Sequence, residues 1–117
     1  MRTDLDIEKF RKILVDEKAS IQEQISQEMN LLSSSSDLDP DMLDNATEMA
    51  NRDRRLEWLN LLNGRLGELG EALLRVETGK FGICTRCGEE INLERLEAKP
   101  YARFCIRCRE KIEERRH

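Results

Sequence analysis

Four cysteines in two Cys-x-x-Cys pairs constrain this chain more than any other feature. The pairs are Cys84–Cys87 and Cys105–Cys108, and seventeen residues separate them. A two-residue spacer lets both thiolates of a pair reach one ion, and two pairs complete the tetrahedral four-sulfur set that zinc prefers. Because such a site leaves no coordination position for water, the spacing predicts one structural zinc ion held by all four cysteines.

Other interpretations of the cysteines fit the rest of the sequence less well. Disulfides form in oxidising compartments, and the first residues, Met1 to Asp6, lack the apolar segment of a secretory signal. A redox-active Cys-x-x-Cys usually stands near a βαβ pattern, and no strand-like alternation surrounds either pair. Iron accepts the same thiolate ligands and stays open as the alternative to zinc. The sequence therefore predicts a metal-binding protein of the reducing cytoplasm, and not an enzyme.

Two long stretches before the cysteines have the periodicity of amphipathic helices. Charged residues make up 38% of the chain and aromatic residues 4%, which suits solvated helices better than a large globular core. Apolar residues recur at steps of three, four and seven over residues 5–32 and again over residues 41–78. They are Ile7, Phe10, Leu14, Ile21, Ile25 and Leu32 in the first stretch and Leu56, Leu59, Leu66, Leu69, Leu73 and Val76 in the second.

These patterns predict an all-α fold with two domains. Residues 1–80 are expected to form a long antiparallel helical hairpin, or coiled coil, because the two apolar stripes can pack against each other. Residues 81–117 are expected to form the four-cysteine zinc finger at the base of the hairpin, followed by a short C-terminal helix over Arg109–Arg116. Thr3 and Asp6 are the expected start of the first helix.

Residues 33–46 are predicted to form the tip of the hairpin. Four serines from Ser33 to Ser36 favour a turn, because their hydroxyl groups compete for backbone hydrogen bonds. Pro40 suits the first turn of a second helix, with Asp39 as its cap. The segment also holds four aspartates within eight residues: Asp37, Asp39, Asp41 and Asp44. Such a cluster is either a solvated turn or a functional carboxylate surface.

The second helix carries two further features. Three glycines recur at steps of three from Gly64 to Gly70, and they either allow another backbone to approach or mark a weak segment. Trp58, Leu61 and Leu62 widen the apolar surface, which indicates a second partner, such as another copy of the chain. This surface supports one alternative function, that of a structural or oligomerising zinc-finger coiled-coil protein.

The charge distribution bears on nucleic-acid binding. Residues 1–50 carry 5 Lys/Arg against 12 Asp/Glu, and residues 51–117 carry 15 against 12. Non-specific nucleic-acid binding needs a clustered positive surface, so the acidic half argues against it. Residues 81–117 carry 9 Lys/Arg against 7 Asp/Glu, which gives only weak support to a direct nucleic-acid-binding zinc ribbon. No stretch reaches the length of a transmembrane helix, so no membrane association is expected.

The residues around the cysteines resemble a known family. The segments Phe81–Ile91 and Arg95–Ala102, with the second cysteine pair, resemble the C4 zinc finger of the DksA/TraR family of bacterial transcription factors. The Arg-Leu-x-Ala-x-Pro pattern between the pairs is not required by zinc chemistry, which makes the resemblance specific. In addition, Asp41-Met-Leu-Asp44-Asn-Ala46 resembles the Asp-x-x-Asp-x-Ala hairpin tip of the DksA-like branch.

This resemblance implies a function in transcription. Family members insert their hairpin through the secondary channel of RNA polymerase without binding DNA directly. They modulate promoter open complexes near the active centre, commonly with the alarmone ppGpp in the stringent response. By resemblance, Asp41, Asp44 and Ala46 are the tip residues of this chain. RNA polymerase is then the expected partner, and no sequence-specific DNA binding is expected.

Binding of ppGpp and the oligomeric state are left open by the sequence. Arg95 and Lys99 lie in finger segments that match the family. Glu68 and the neighbouring glycines, in contrast, occupy a helix region that is more basic in typical members. The residues that would hold ppGpp are therefore not assigned from the sequence.

Overall fold

The computed structural model describes residues 4–35 and 45–116, and within them the chain is helical with no strand. One isolated antiparallel bridge joins Ile83 and Glu90. The helices are α1 (Ile7–Ser35), α2 (Asn45–Thr78), α3 (Leu93–Ala98) and α4 (Ile106–Arg116). The predicted all-α fold, with a hairpin of two long helices, a four-cysteine finger and a short C-terminal helix, is confirmed.

The chain divides into two compact units. One unit, called here the base unit, combines residues up to Glu17 with residues from Glu68 onward. The other, called the hairpin unit, spans Lys18–Gly67. The boundary at residue 80 and the tip at residues 33–46 stay predictions. No described helix combines the length and the apolar character that a membrane span requires.

Helix α1 begins at a cap that the sequence analysis placed only in part. The side chain of Asp6 accepts a hydrogen bond from the backbone N–H of Lys9 at 3.1 Å. This bond is the N-cap interaction that satisfies one of the free N–H groups of a first helical turn. The backbone N–H of Phe10 adds a bond to the carbonyl oxygen of Asp6 at 3.2 Å. Asp6 is therefore the N-cap, and Thr3 lies outside the described residues.

Helix α1 also continues further than its apolar pattern indicates. It ends at Ser35, three residues beyond the expected last residue, Leu32. Each serine lowers the stability of a helix by only a few tenths of a kcal/mol relative to good helix-forming residues. A run of serines therefore lowers helix stability without ending the helix by itself.

The core of the base unit joins both long helices to the finger. The rings of Phe10 in α1 and Phe81 in the finger lie 5.3 Å apart between centroids, at an interplanar angle of 47°. Leu14, Leu69, Ile91 and Leu96 are fully buried around this region of the unit. The other buried apolar residues of the base unit are Leu5, Ala72, Val76 and Ala102. Burial of apolar side chains therefore stabilises the finger, in addition to any stabilisation from its four cysteines.

The hairpin unit has a narrower core. Ile21, Leu59 and Leu62 are buried in it, whereas Leu56 is 43% exposed. Leu56 and Leu62 lie three positions before and after Leu59, so they project on opposite sides of it around the helix. The burial of Leu62 shows on which side the partner helix packs. The predicted stripe was therefore wrong at Leu56, and Leu62 belongs to the core instead of the outer surface.

The glycines of α2 allow a stability prediction. A Cβ atom added at Gly67 would meet nothing within 4 Å, so no close packing within the chain requires glycine there. We expect Gly67→Ala to raise the free energy of unfolding by about 1 kcal/mol, because alanine loses less backbone entropy in a helix. Urea denaturation followed by circular dichroism at the helical band measures this change.

Gly79 provides the matched control for that experiment. It follows the end of α2 with a φ of 74°, a left-handed conformation that strains any residue with a Cβ. Gly79→Ala is expected to lower the free energy of unfolding, opposite in sign to Gly67→Ala. Loss of stability in Gly67→Ala would contradict the open surroundings of that residue.

Candidate metal centre

The first cysteine pair lies in a tight loop of the finger. The backbone N–H of Cys84 donates to the carbonyl oxygen of Glu89 at 2.8 Å, and that of Gly88 donates to the carbonyl oxygen of Cys84 at 3.0 Å. Gly88 has a φ of 78°, which lets the chain reverse directly after the second cysteine of the pair. The loop therefore turns the side chains of Cys84 and Cys87 toward one point.

The second pair lies at the start of α4. Cys105 directly precedes the helix and Cys108 lies in its first turn. The backbone N–H of Cys108 donates to Sγ of Cys105 at 3.5 Å, so this sulfur stands where an N-cap side chain usually accepts. This interaction explains why α4 begins at Ile106, three residues before the predicted start at Arg109.

Hydrogen bonds to backbone carbonyl groups hold the two pairs together. The carbonyl oxygen of Arg103 accepts from the backbone N–H of Thr85 at 2.8 Å and from its hydroxyl at 3.2 Å. Nε of Arg95 donates to the carbonyl oxygen of Phe104 at 3.0 Å. These bonds hold residues 103–104, which precede Cys105, against the loop of the first cysteine pair. The two cysteine pairs therefore lie side by side.

The distances between the sulfur atoms fit a tetrahedral metal site. All four Sγ atoms lie within 4.8 Å of one another, and those of Cys87 and Cys105 are 3.8 Å apart. A zinc–sulfur bond of about 2.3 Å gives tetrahedral sulfur–sulfur distances of about 3.8 Å. A disulfide needs about 2.05 Å, and all four cysteines are free. The arrangement therefore suits four thiolates around one ion.

The four thiols differ in their environments. Cys84 and Cys108 are buried, whereas Cys87 is exposed. Burial opposes ionisation of Cys84, but backbone hydrogen bonds, those of Cys105 first among them, outweigh it and lower the pKa of Cys84 to about 6. Burial raises the pKa of Cys108 to about 12. Metal ligation requires thiolates, so a bound cation would favour the ionised form of all four sulfurs and release their protons.

Helix α3 is a part of the finger that the sequence analysis missed. Asn92 is its N-cap, and its side chain accepts from the backbone N–H of Glu94 at 3.2 Å. Leu96 on this helix is fully buried. The signal was present, because a capping residue precedes good helix formers and Pro100 follows them. At six residues the helix is too short to produce a clear period.

Polar contacts also connect α2 to the finger within the base unit. Nη2 of Arg75 donates to the carbonyl oxygen of Tyr101 at 3.4 Å, and Arg103 pairs with Glu71 at 3.5 Å. Burial, partly offset by Glu71, lowers the pKa of Arg75, although a guanidinium stays charged in proteins. The Glu71–Arg103 pair is half exposed on both sides and contributes little to stability. The Arg75 contact fixes the finger's orientation on the helix.

The three predicted tip residues are only partly described. Asp41 and Asp44 lie outside the described residues, and Ala46 lies in the first turn of α2. Ala46 thus stands 38 positions before Cys84 in the chain. Arg95 and Lys99, which match the family's finger, lie on α3 and at its C-cap.

Comparisons with known proteins agree with the finger and the hairpin. The family described as the prokaryotic dksA/traR C4-type zinc finger matches residues 79–114. The RNA polymerase-binding transcription factor DksA of Haemophilus influenzae is 36% identical over 107 residues, which cover 86% of this chain and 69% of the relative. DksA of Caulobacter vibrioides is 30% identical over 112 residues, covering 96% and 79%.

A solved structure extends the likeness to the fold. The transcription factor DksA2 of Pseudomonas aeruginosa superposes with a TM-score of 0.84 at 30% identity, covering 98% of this chain and 89% of the other. The DnaK suppressor protein of Agrobacterium tumefaciens matches with a TM-score of 0.64 at 29% identity, covering 95% and 97%. Finger, helices and overall sequence agree with the same group of proteins, and the chain belongs to the DksA/TraR family.

Proposed function

We propose that this protein is a bacterial transcription regulator that binds RNA polymerase through the secondary channel and modulates promoter open complexes. The observation that carries the proposal is the likeness across both helices and the finger to proteins named as RNA polymerase-binding transcription factors. The likeness covers more than the finger alone, which matches over residues 79–114. A shared metal fold by itself would not imply a shared partner.

In this proposal the four cysteines hold one structural zinc ion. Cys84, Cys87, Cys105 and Cys108 supply four sulfurs at tetrahedral spacing, which leaves no position for substrate or water. When bound, zinc supplies folding free energy and no reaction chemistry. Metal analysis of the purified protein distinguishes zinc from iron, which thiolates also accept. Because such a closed site has no catalytic position, the proposed protein is not an enzyme. Its proposed location is the cytoplasm.

The acidic tip acts on the polymerase in this proposal. Asp41 and Asp44 supply the negative charges of the tip, and Ala46 is a residue with a small side chain. Carboxylates at the tip can approach a metal ion, a basic groove or backbone amide groups near the active centre. No sequence-specific DNA contact is needed for such an effect, since the tip changes the polymerase and not the recognition of the promoter.

The role of ppGpp is a separate part of the proposal. Arg95 and Lys99 are cationic and lie on the finger, and Nε of Arg95 already donates to Phe104. Glu68 places a negative charge in the helical region that is more basic in typical family members. A carboxylate repels phosphate groups. We therefore expect the protein to act without strong dependence on ppGpp.

The lifetime of promoter open complexes tests the function. Purified polymerase and a ribosomal-RNA-type promoter are mixed with the zinc-loaded protein, and decay of the open complex is followed after addition of a competitor. We expect a shortened lifetime at saturating protein, because the tip acts on the complex after promoter opening. Parallel reactions with ppGpp measure its contribution.

The result separates the two levels of the proposal. An unchanged lifetime together with tight polymerase binding would contradict the effect on open complexes but leave polymerase as the partner. Absence of any polymerase binding at micromolar protein would contradict the function as a whole. A lifetime that shortens only with ppGpp would contradict the expected independence from the alarmone.

A further inference from the structure

The apolar core of the hairpin unit stops well before the predicted tip. We call residues 22–35, which end α1, and residues 45–58, which begin α2, the distal segment. Every side chain described there, over residues 22–33 and 47–58, is exposed or half-buried. The buried residues of the hairpin unit, Ile21, Leu59 and Leu62, all lie outside the distal segment. Its two helices are therefore joined without a buried apolar layer among the residues described.

Charged residues continue the packed side of each helix into the distal segment. In α2, the side that holds Leu59 continues to Arg55, four positions before it, and Arg55 is half-buried. In α1, the side that holds Ile21 continues through Ile25 to Glu28, which is also half-buried. Charged side chains lose hydration when they are partly buried, so they stabilise a helix pair less than leucine does. The two helices are thus held weakly in this segment.

Arg55 specifically favours separation of the two helices. Its Nη1 atom is buried and has no hydrogen-bond partner among the described residues. A buried donor without a partner loses its hydration in the packed state and gains no hydrogen bond in exchange, and the penalty is larger for a charged group. When the helices part, water reaches the guanidinium and the penalty disappears. Arg55 therefore lowers the free energy needed to open the distal segment.

The large apolar side chains of the distal segment add little stability to the packed state. Met29 is 57% exposed, Met49 is 67% exposed and Leu56 is 43% exposed, and stabilisation by burial is proportional to the apolar area removed from water. Each of the two helical arms is roughly 21 Å long at 1.5 Å per residue. A helix of this length is marginally stable without packing, so parting of the arms also breaks helical hydrogen bonds.

We propose that the distal segment opens and closes as a unit of its own, with its two helices parting at Arg55 while the rest of the hairpin unit stays folded. Segments with few buried apolar contacts open at a lower free energy than the global unfolding of a protein. Both arms run into the predicted tip at residues 33–46, so opening lets the tip change shape without unfolding the finger. The inference goes beyond the proposed function and does not depend on it.

Native-state hydrogen exchange of the zinc-loaded full-length chain tests the proposal. Protection factors of the backbone amides at residues 50–55 are expected to be lower than those at residues 62–66 by about a hundredfold or more. Exchange at low urea concentrations distinguishes the two kinds of opening, because the urea dependence scales with the surface that opening exposes. Exchange at residues 50–55 should respond weakly to urea, whereas exchange at residues 62–66 should respond strongly.

Arg55→Leu and Arg54→Leu form a matched pair of variants. Both remove one positive charge and add the same side chain to α2, but Arg54 is exposed, whereas Arg55 carries the buried Nη1 atom. Arg55→Leu is expected to raise protection at residues 50–55 by about tenfold or more and to leave residues 62–66 within about twofold. Arg54→Leu should change protection by less than about threefold. Arg55→Met is a second variant without the guanidinium, and circular dichroism checks that each variant is folded.

Several outcomes would overturn the proposal. Equal protection at residues 50–55 and 62–66 in the wild type would show that the hairpin unit opens only as a whole, and so would an equal rise of both sets in Arg55→Leu. Equal effects of Arg55→Leu and Arg54→Leu would exclude the buried guanidinium as the cause of opening. Lower protection in both Arg55→Leu and Arg55→Met would show that Arg55 stabilises the packed helices instead.

Discussion

Removal of the metal is expected to unfold residues 81–108 before the helices of the hairpin unit. Only three large apolar side chains of the finger are buried, and its helix α3 has only six residues. Structural zinc in small finger domains contributes about 10–16 kcal/mol of apparent binding free energy. Without the ion, the buried apolar residues Phe81, Ile91, Leu96 and Ala102 cannot offset the conformational entropy of ordering this segment. The expected result is therefore a loss of finger structure on chelation.

Hydrogen exchange of backbone amides measures this loss residue by residue. The N–H groups of Cys84 and Thr85 are hydrogen-bonded at 2.8 Å and should become unprotected when a chelator removes the metal. Amides of α2 within the hairpin unit, such as that of Leu59, should stay protected. The variant Cys108→Ser should reproduce the effect of chelation, because it removes one ligand and little volume. Re-addition of zinc should restore protection in the wild type only.

The order of unfolding is the informative part of this experiment. Phe81 of the finger packs against Phe10 of α1, so the start of α1 is expected to lose part of its protection with the finger. Simultaneous loss of protection at Leu59 would show one cooperative unit and would contradict the expected order. Full protection at Cys84 without metal would contradict the assignment of the cysteines as a structural metal site.

Asp44→Asn is expected to abolish the effect on open complexes while leaving polymerase binding unchanged. Asparagine keeps the size and shape of aspartate, so the substitution removes only the negative charge. If the tip acts electrostatically near the active centre, loss of one carboxylate should lower the effect by about tenfold or more. Binding through the rest of the protein should change by less than about threefold. Lifetime assays at saturating protein, together with equilibrium binding to polymerase, separate the two quantities.

Asp53→Asn is the matched control for this substitution. Asp53 is exposed on α2 and lies outside the predicted tip, so the same loss of charge there should alter neither binding nor open-complex lifetime. Equal activity of Asp44→Asn and the wild type would contradict the tip mechanism. Reduced polymerase binding by Asp44→Asn would instead assign this residue to docking.

The parts of the fold that follow from local chemistry were predictable. The spacing of Cys84, Cys87, Cys105 and Cys108 is set by the geometry of a single ion, and the structure places their sulfurs within 4.8 Å. The two long helices follow from the spacing of apolar residues, which repeats over many turns. Both signals are strong because each is repeated or chemically restrictive.

The parts that depend on tertiary placement were not predictable in the same way. Leu56 and Leu62 fit the apolar pattern of α2 almost equally, and only the position of the partner helix decides that Leu62 is buried. The start of α4 depends on the sulfur of Cys105, which replaces an ordinary capping oxygen. The Arg75–Tyr101 contact joins residues 26 positions apart, and no sequence period indicates it.

The composition of the base unit has a consequence for the order of events during synthesis. Its core needs residues near Phe10 and Leu14 together with residues as far along the chain as Ala102. At a synthesis rate of about 5–20 residues per second, roughly 4–18 s pass between the synthesis of Leu14 and that of Ala102. The hairpin unit, being continuous over Lys18–Gly67, can fold earlier. Since Cys108 is made last among the cysteines, the metal can complete its coordination only after the whole hairpin unit has been synthesised.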